Sequence, residues 1–390
     1  MLPVAIIGGG PVGLFLASCL NRFGVECRVL EQRRTVSNHS RSIGIHPVSL
    51  DLFARLGLSA ALLSRGVRVV KGVAYDERGK LGELSLQTCD RRFPFVLILP
   101  QSETESVLEA HLLLSGRAGA LCRESQVVGL NDQGEHVEIE CLEPRGRRSL
   151  IQAQFAVGCD GKRSVVRRSA GIPFPGRPYR DQFIMGDFDD NTCFGSDAAI
   201  FLHSCGLVES FPLPFRKRRW VVREGDDIRE MEMGPPTRQE VELLLRARIG
   251  HELQTCRNYM VSRFRAERFL ASALYRGRIV LAGDCAHVVS PIGGQGLNLG
   301  WLGAWRLAER LRDVVHRGMD YQEAFGRYSR EQRSAARRAT HRAELNMTLG
   351  RTRTRSVFLR NSMVRLLLQS PINRLTARLF TMHGLYSWPV

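Results

Sequence analysis

The residues best suited to chemistry lie at Gly283-Asp284 and in the glycine cluster that follows. An apolar strand, Ile279–Ala282, runs into this pair; Pro291 comes next, and Gly293, Gly294 and Gly296 then open a helix. A carboxylate just after a strand can accept hydrogen bonds from polyol hydroxyls. A glycine-rich helix start lets backbone N–H groups approach a ring carbonyl, with the positive end of the helix dipole behind them. That order suits a flavin.

A Gly-Asp pair alone carries little information, but the chain also begins with a dinucleotide fingerprint. Val4–Ile7 is a short apolar strand that enters Gly8-Gly9-Gly10-Pro11-Val12-Gly13, and Leu14–Leu20 continues as an apolar helix. A second strand, Cys27–Leu30, ends in Glu31. Gly8 makes the tight turn, Gly10 lets a pyrophosphate touch the backbone, and Gly13 lets helix and strand pack closely. Glu31 is placed to bind ribose hydroxyls.

These motifs need a scaffold, and its outline is legible. Residues 3–31 read as β-α-β, and 47–64 as helical. Residues 67–99 look like sheet with turns. Ser102 and Glu105 have the spacing of a capping box before an apolar helix, Val107–Leu114. Strand signals return at 126–130, 136–142 and 149–158. Between 175 and 275 mixed strands lack βαβ alternation, which predicts an antiparallel sheet, and Thr237-x-x-Glu240 caps a helix over 238–249. The α/β pattern resumes at 278, and the chain reads as helical after 297.

The fold class is therefore α/β, or α+β taken whole: a Rossmann-like FAD-binding domain, an inserted and mostly antiparallel β-sheet substrate domain, and a helical C-terminal region. The dinucleotide domain is expected to be discontinuous, over 1–71, 101–174 and 275–350. The substrate domain takes 72–100 and 175–274, and 351–390 forms a basic amphipathic tail.

The 390 residues are 44% hydrophobic, enough to bury a substantial core in two domains. The apolar N-terminus lacks a basic leader and is broken by glycines, so it reads as the first strand and helix; the expected location is cytoplasmic. The ten cysteines form no C-x-x-C pair, and the ten histidines show no metal-binding spacing, so reduced thiols and no metal are expected. The formal charge is +17, with only four lysines among 56 basic residues. Residues 323–390 carry thirteen arginines against three acids. This excess, with the apolar residues mixed into it, can lie peripherally on a membrane surface through 355–380 or pack on the protein with arginines outward; packing is the favoured reading. No nucleic-acid motif is present.

Three separated motifs, the N-terminal fingerprint, Gly158-Cys159-Asp160-Gly161-Lys162-Arg163-Ser164-Val165-Val166-Arg167 and the Gly283-Asp284 segment, together resemble the single-component FAD-dependent aromatic hydroxylases. The resemblance is to the para-hydroxybenzoate hydroxylase and ubiquinone-biosynthesis hydroxylase type, and it runs from residue 2 to about 330. It implies that Gly8, Gly10, Gly13 and Glu31 hold the ADP half of FAD. Arg41 matches an arginine that contacts the flavin side and the pyrophosphate, Gln101 a polar FAD contact, and Val127 a position whose backbone meets the adenine. Asp160 belongs to a motif associated with FAD and nicotinamide binding; its plainer reading is a cap on the helix that follows. Asp284 would bind the ribitol, and Asn298 would lie near the isoalloxazine with Gly293, Gly294 and Gly296. Pro291 would line the chamber where oxygen reacts, and with Arg41 it is the candidate catalytic residue. His287 is expected to satisfy hydrogen bonds of its own motif, and Cys285 to be a small filler. The sequence gives no place in the active site for His46.

The activity implied by the resemblance is an FAD-dependent monooxygenase. It takes NADPH or NADH as transient reductant, forms a C4a-hydroperoxyflavin with O2, and hydroxylates or epoxidises a lipophilic aromatic, phenolic or quinol-type small molecule. Phe183, Phe188, Phe201, Leu202, Phe211, Leu213 and Phe215 suit an apolar substrate but suit an ordinary sheet core better. Two alternatives stand beside this: a geranylgeranyl-reductase-like flavoenzyme acting on isoprenoid double bonds, and a non-catalytic FAD-binding scaffold. A halogenase would need a W-x-W-x-I-P signature, which the chain lacks.

Overall fold

The computed structural model describes residues 1–36, 42–114, 119–224, 234–351 and 357–386. Strand Leu2–Ile7 is buried from Val4 onward, as a central parallel strand must be when both faces are covered. It pairs in parallel with Cys27–Leu30 on one side and Arg148–Gly158 on the other. Ile279–Leu281 joins the outer side of Arg148–Gly158, and Leu121–Cys122 the outer side of Cys27–Leu30, both in parallel. An antiparallel hairpin, Gln126–Asp132 and Val137–Leu142, extends the first half of Arg148–Gly158. The carboxyl ends of the parallel strands thus lie together, and ligands of such sheets bind there.

Two helices hold the N-terminal and late motifs against each other. Helix Pro11–Arg22 packs on helix Gln295–Arg317, with the Trp301 indole N–H donating to the Pro11 carbonyl at 3.1 Å. Gly300 permits the approach, since a Cβ there would lie 2.7 Å from a Val12 methyl. Phe15, Phe53 and Trp301 fill the space behind them, the rings of Phe15 and Trp301 each lying 5.0 Å from that of Phe53, centroid to centroid. Such edge-on pairs add to the gain from burial alone.

The second sheet has eight strands. In order they are His287–Val288, Asn258–Leu270, Gly176–Asp189, Lys217–Arg223, Gly206–Leu213, Ala198–His203, Lys71–Asp76 and Gly79–Ser85. Every pairing is antiparallel except that of Ala198–His203 with Lys71–Asp76. One face packs Ile184, Val208, Trp220 and Val222 against Val241 and Leu245 of helix Arg238–Ile249. That helix carries the expected capping box, with the Thr237 side chain and the Glu240 side chain each bonding the other's backbone N–H.

The second expected box does not form. Helix Gln101–Leu114 begins ahead of Ser102, six residues before the expected Val107, and the Pro100 carbonyl takes the N–H groups of Glu103 and Thr104. Glu105 then sits inside the helix and accepts from Gln101 Nε2 at 2.7 Å.

Beyond the long helix Tyr321–Gly350, helices Val357–Leu368 and Ile372–Phe380 return over the second sheet. Arg360 departs from the expected outward pattern: it is buried and donates to the Leu202 carbonyl at 2.7 Å, while Asn361 donates to Asp76 at 2.8 Å. Leu368 packs over Gly82, where a Cβ would come within 3.1 Å of it. Among the described residues no helix is long and apolar enough to cross a membrane, and no group of three His, Cys, Asp or Glu is arranged to hold a metal.

Candidate active site

A cavity of about 990 Å³ runs between the two sheets. It is at the upper end of the ~300–1,000 Å³ usual for small-molecule sites. One end is lined by Gly8, Gly10, Glu31, Gln101, Val127 and Asp160, all expected from sequence. Asp284, Pro291, Gly293, Gly294 and Gly296 line the same cavity. Motifs separated by more than half the chain are thus brought to one wall by parallel strand pairing and the helix contact at Val12–Gly300. Arg41 lies outside the described residues.

The fingerprint glycines divide into two kinds. Gly8 has φ +106°, and a Cβ on it would lie 2.4 Å from the Cys159 carbonyl oxygen. A Cβ on Gly13 would lie 2.0 Å from the Gly8 oxygen. Both are demanded by the fold itself. A Cβ on Gly10 meets nothing within 4 Å, so its smallness serves only what enters the cavity.

Glu31 accepts from the Gly9 N–H at 2.6 Å and from the Arg33 N–H and Nε at 2.8 and 2.9 Å. Burial alone would raise its carboxyl, but the Arg33 bonds and charge, with Gly9, hold it below the usual range. Asp160 does cap the following helix: one oxygen accepts from Val165 and Val166 N–H at 2.7 and 3.2 Å. Its other oxygen is buried without a partner. Asp284 is exposed, but into the protein-walled cavity, and that depth pushes its carboxyl up to about 6. No hydrogen bond from a described residue satisfies it, so it is free to receive hydroxyl donors.

Gly293 and Gly294 sit at φ +86° and +64°, and Gly294 precedes helix Gln295–Arg317. The Gly294 N–H closes a turn onto the Pro291 carbonyl at 2.9 Å. The unpaired N–H groups of the helix's first turn and its dipole make this end receptive to negative charge. Asn298 does not line the cavity. Its side chain is fully engaged, donating to the carbonyls of Gly294 and Gly44 at 2.8 and 2.9 Å and accepting from the His46 N–H at 2.9 Å.

His46, which sequence reasoning could not place, does line the cavity. Burial depresses its imidazole to about 4, with His383 adding slightly and the Gly293 backbone opposing, so the ring is neutral. A signal was available, since His46 stands between a two-residue strand and Pro47 at a helix start. His287 lies elsewhere; its Nε2 is 2.9 Å from Gln332 Nε2, and burial lowers it to about 4. The Cys285 thiol donates to the carbonyls of Gly158 and Ala282, at 2.8 and 3.0 Å, as a buried filler.

The other end of the cavity is apolar. Val73, Leu84, Met185, Ile200, Leu202, Leu207, Phe211 and Val221 come from the sheets, and Val364, Leu368 and Phe380 from the tail. Of the residues singled out in sequence, Leu202 and Phe211 face this space, Phe183 and Phe188 are buried core, and Phe215 is exposed. The tail closes the chamber, which its composition alone did not indicate.

The donor set fits FAD. An unpartnered carboxylate after a strand, an open glycine in the fingerprint turn and a glycine-rich helix start share one wall. This is the site of a flavoprotein of the two-sheet hydroxylase architecture. Residues 1–343 match the FAD binding domain family. The chain is 31% identical over 318 residues to a rifampicin monooxygenase of Streptomyces venezuelae, across 81% of this chain and 65% of that protein. It is also 31% identical to an aromatic compound monooxygenase of Bacillus subtilis, across 95% of this chain and 73% of the relative. The structure of a p-nitrophenol 4-monooxygenase from Pseudomonas putida superposes with a TM-score of 0.90 at 23% identity, covering 100% of this chain and 99% of that one. The anhydrotetracycline hydroxylase structure from Streptomyces rimosus gives 0.81 at 28% identity, covering 97% and 75%. The chain belongs to the FAD-binding family of flavin-dependent aromatic monooxygenases. It spans about two thirds of the length of the rifampicin enzyme.

Proposed function

We propose that this chain hydroxylates a lipophilic phenolic or other electron-rich aromatic compound, using O2 and NADPH or NADH. The observation that carries this reading is the continuity of one cavity from the glycine-lined fingerprint wall to the apolar sheet face. Relatives are named for action on rifampicin, pentachlorophenol and p-nitrophenol, all bearing aromatic rings.

When bound, FAD supplies the redox chemistry that takes a hydride from the nicotinamide and activates O2. The rest falls to the chain. Glu31, Gly10 and Asp160 would hold the adenosine and pyrophosphate portion, with Gln101 and Val127 beside them, and Asp284 the ribitol hydroxyls. First-turn N–H groups at Gly293–Gly296 would stabilise negative charge on the ring system. Pro291 and the tail residues Val364, Leu368 and Phe380 keep water from the reacting end, where it would divert the reaction to peroxide. The apolar sheet face orients the ring. In this reading a nucleotide-holding body and a substrate-holding sheet divide the labour, with the tail added to the wall of the substrate chamber.

The test is the visible spectrum of the purified yellow protein on anaerobic addition of NADPH or NADH, with and without alkylated phenols. Faster bleaching with a phenol is expected. A flavin left oxidised with every compound overturns the reading. Asp284→Asn should lower the flavin retained after desalting about tenfold, the cost of weakening a hydrogen bond to a charged group.

A further inference from the structure

Strand Gly206–Leu213 turns Leu207, Glu209 and Phe211 toward the cavity, since alternate residues of a strand share a face. Register places Glu209 in the middle of a cross-strand row. Ala74 pairs with Ile200, Ile200 with Glu209, Glu209 with Val221, and Val221 with Met185. Every other member of that row is apolar, and all five line the cavity. Glu209 is only 8% exposed, and no described residue hydrogen-bonds its carboxylate. An unpaired carboxylate in such a wall is costly, so it is difficult to explain as packing.

The surrounding charges are already committed. On the flanking strand, Arg219 grips Asp187 through two bonds of 2.6 and 2.8 Å, Arg218 pairs with Asp190 and Arg223 with Asp181. Lys217 lies over the Tyr259 ring, and on the other flanking strand His203 faces Glu77. From the small sheet Arg68 stacks on Phe95; from the helices Arg360 bonds the Leu202 carbonyl and Arg351 joins Asp181. Arg265, also on the cavity wall, donates to the Tyr179 carbonyl. None of these neutralises Glu209.

We propose that Glu209 selects the substrate: it accepts a hydrogen bond from a ring hydroxyl of a neutral, otherwise apolar phenol and takes that proton. The inference rests on the phenol-hydroxylating reading and names the residue and substrate class within it. In the step, the phenolic O–H bond breaks, its electron pair stays on the phenolate oxygen, and the proton forms a new O–H bond on the Glu209 carboxylate. The phenolate ring is the better nucleophile. Aromatic carboxylates are disfavoured, because a second carboxylate would meet Glu209 in an apolar chamber. Burial pushes the Glu209 carboxyl up to about 7. That brings it nearer to a phenol, at about 10, than an ordinary glutamate would be, so the transfer is less uphill.

The test uses the purified flavin-loaded protein and three probes: 2-naphthol, its methyl ether 2-methoxynaphthalene, and 6-hydroxy-2-naphthoate. Binding is read by equilibrium dialysis, and proton transfer by the naphtholate emission band at a pH about one unit above 7, where Glu209 is ionised; photoexcited naphthol is a far stronger acid than the ground state and hands its proton only to a carboxylate in contact with its hydroxyl. The wild type should bind naphthol at least about tenfold more tightly than the ether, show the naphtholate band, and bind the naphthoate weakly. Glu209→Gln should bind naphthol without the band and accept the naphthoate better. Glu209→Leu, which removes an unpaired buried acid and should fold at least as well, should bind naphthol and ether alike. Glu209→Asp should restore part of the band. A naphtholate band that survives in Glu209→Gln, or equal wild-type binding of naphthol and ether, overturns the proposal. These readouts need no turnover. A protein whose flavin nicotinamide cannot reduce, yet which shows the band, would fail the functional reading while retaining this one.

Discussion

Asn298 and His46, 252 residues apart in sequence, are joined through one carboxamide: Asn298 Oδ1 accepts the His46 backbone N–H at 2.9 Å. The same side chain donates to the Gly294 carbonyl at 2.8 Å and to Gly44 at 2.9 Å. It therefore fixes the glycine turn before helix Gln295–Arg317 relative to the helix that His46 precedes. Both walls belong to the cavity. Asn298 is a positioning residue here, acting through Gly294 and His46.

Asn298→Ala would leave a buried N–H and two carbonyls without their partner, at about 1–3 kcal/mol for each group that water cannot reach. Lower stability and weaker flavin retention are expected together. Denaturant midpoints and the flavin-to-protein absorbance ratio after desalting measure both. A variant with normal stability and normal flavin content would show that the carboxamide bridge is dispensable.

Gly8 and Gly10 should respond differently to the same methyl group. Gly8→Ala forces a left-handed backbone on alanine and a Cβ onto the Cys159 carbonyl, so a loss of several kcal/mol in fold stability is expected. Gly10→Ala enters open space. It should leave the flavin-free protein's stability within about 1 kcal/mol of the parent while weakening FAD binding. Thermal melts with and without added FAD separate the two; identical behaviour of the variants would refute the distinction.

The buried His46 sets a pH limit on stability. Its folded value is about 4 against 6.5 for the unfolded chain, so the native state binds fewer protons between those values. Stability from this group is full above 6.5 and is lost as pH falls toward 4. Between pH 7 and 5 the loss should be about 1–2 kcal/mol. His46→Asn should flatten that part of the curve. Urea titrations across the range check it, and an unchanged slope in the variant would assign the acid sensitivity to other groups.

The local motifs were readable because each depends on a short stretch of chain. Gly8, Gly10, Gly13 and Glu31 form a strand, turn, helix and strand end within one unit, and Gly283-Asp284 with Gly293–Gly296 does the same late in the chain. The Thr237–Glu240 box was legible for that reason. The Ser102–Glu105 box was misread because the Pro100 carbonyl, outside the motif, takes the first helical N–H groups and puts Ser102 inside the helix. Glu209 escaped notice although alternation in Leu207, Glu209, Phe211 and Leu213 marks one acid on an apolar face. Which face met a cavity depended on the neighbouring strands.

The sequence by itself determined the cofactor class, the parallel unit that carries it and the mostly antiparallel character of the inserted sheet. Those properties follow from side-chain periodicity and from backbone conformations open only to glycine, both local. Tertiary structure alone decided that Asp284 shares the fingerprint wall and that Asn298 bridges Gly294 to His46. It also decided that Arg360 turns inward as the tail closes the chamber, and that Glu209 stands unpaired among Ala74, Ile200, Val221 and Met185. These depend on strand register and on helices meeting across hundreds of residues, where close packing at contacts such as Val12–Gly300 selects one arrangement.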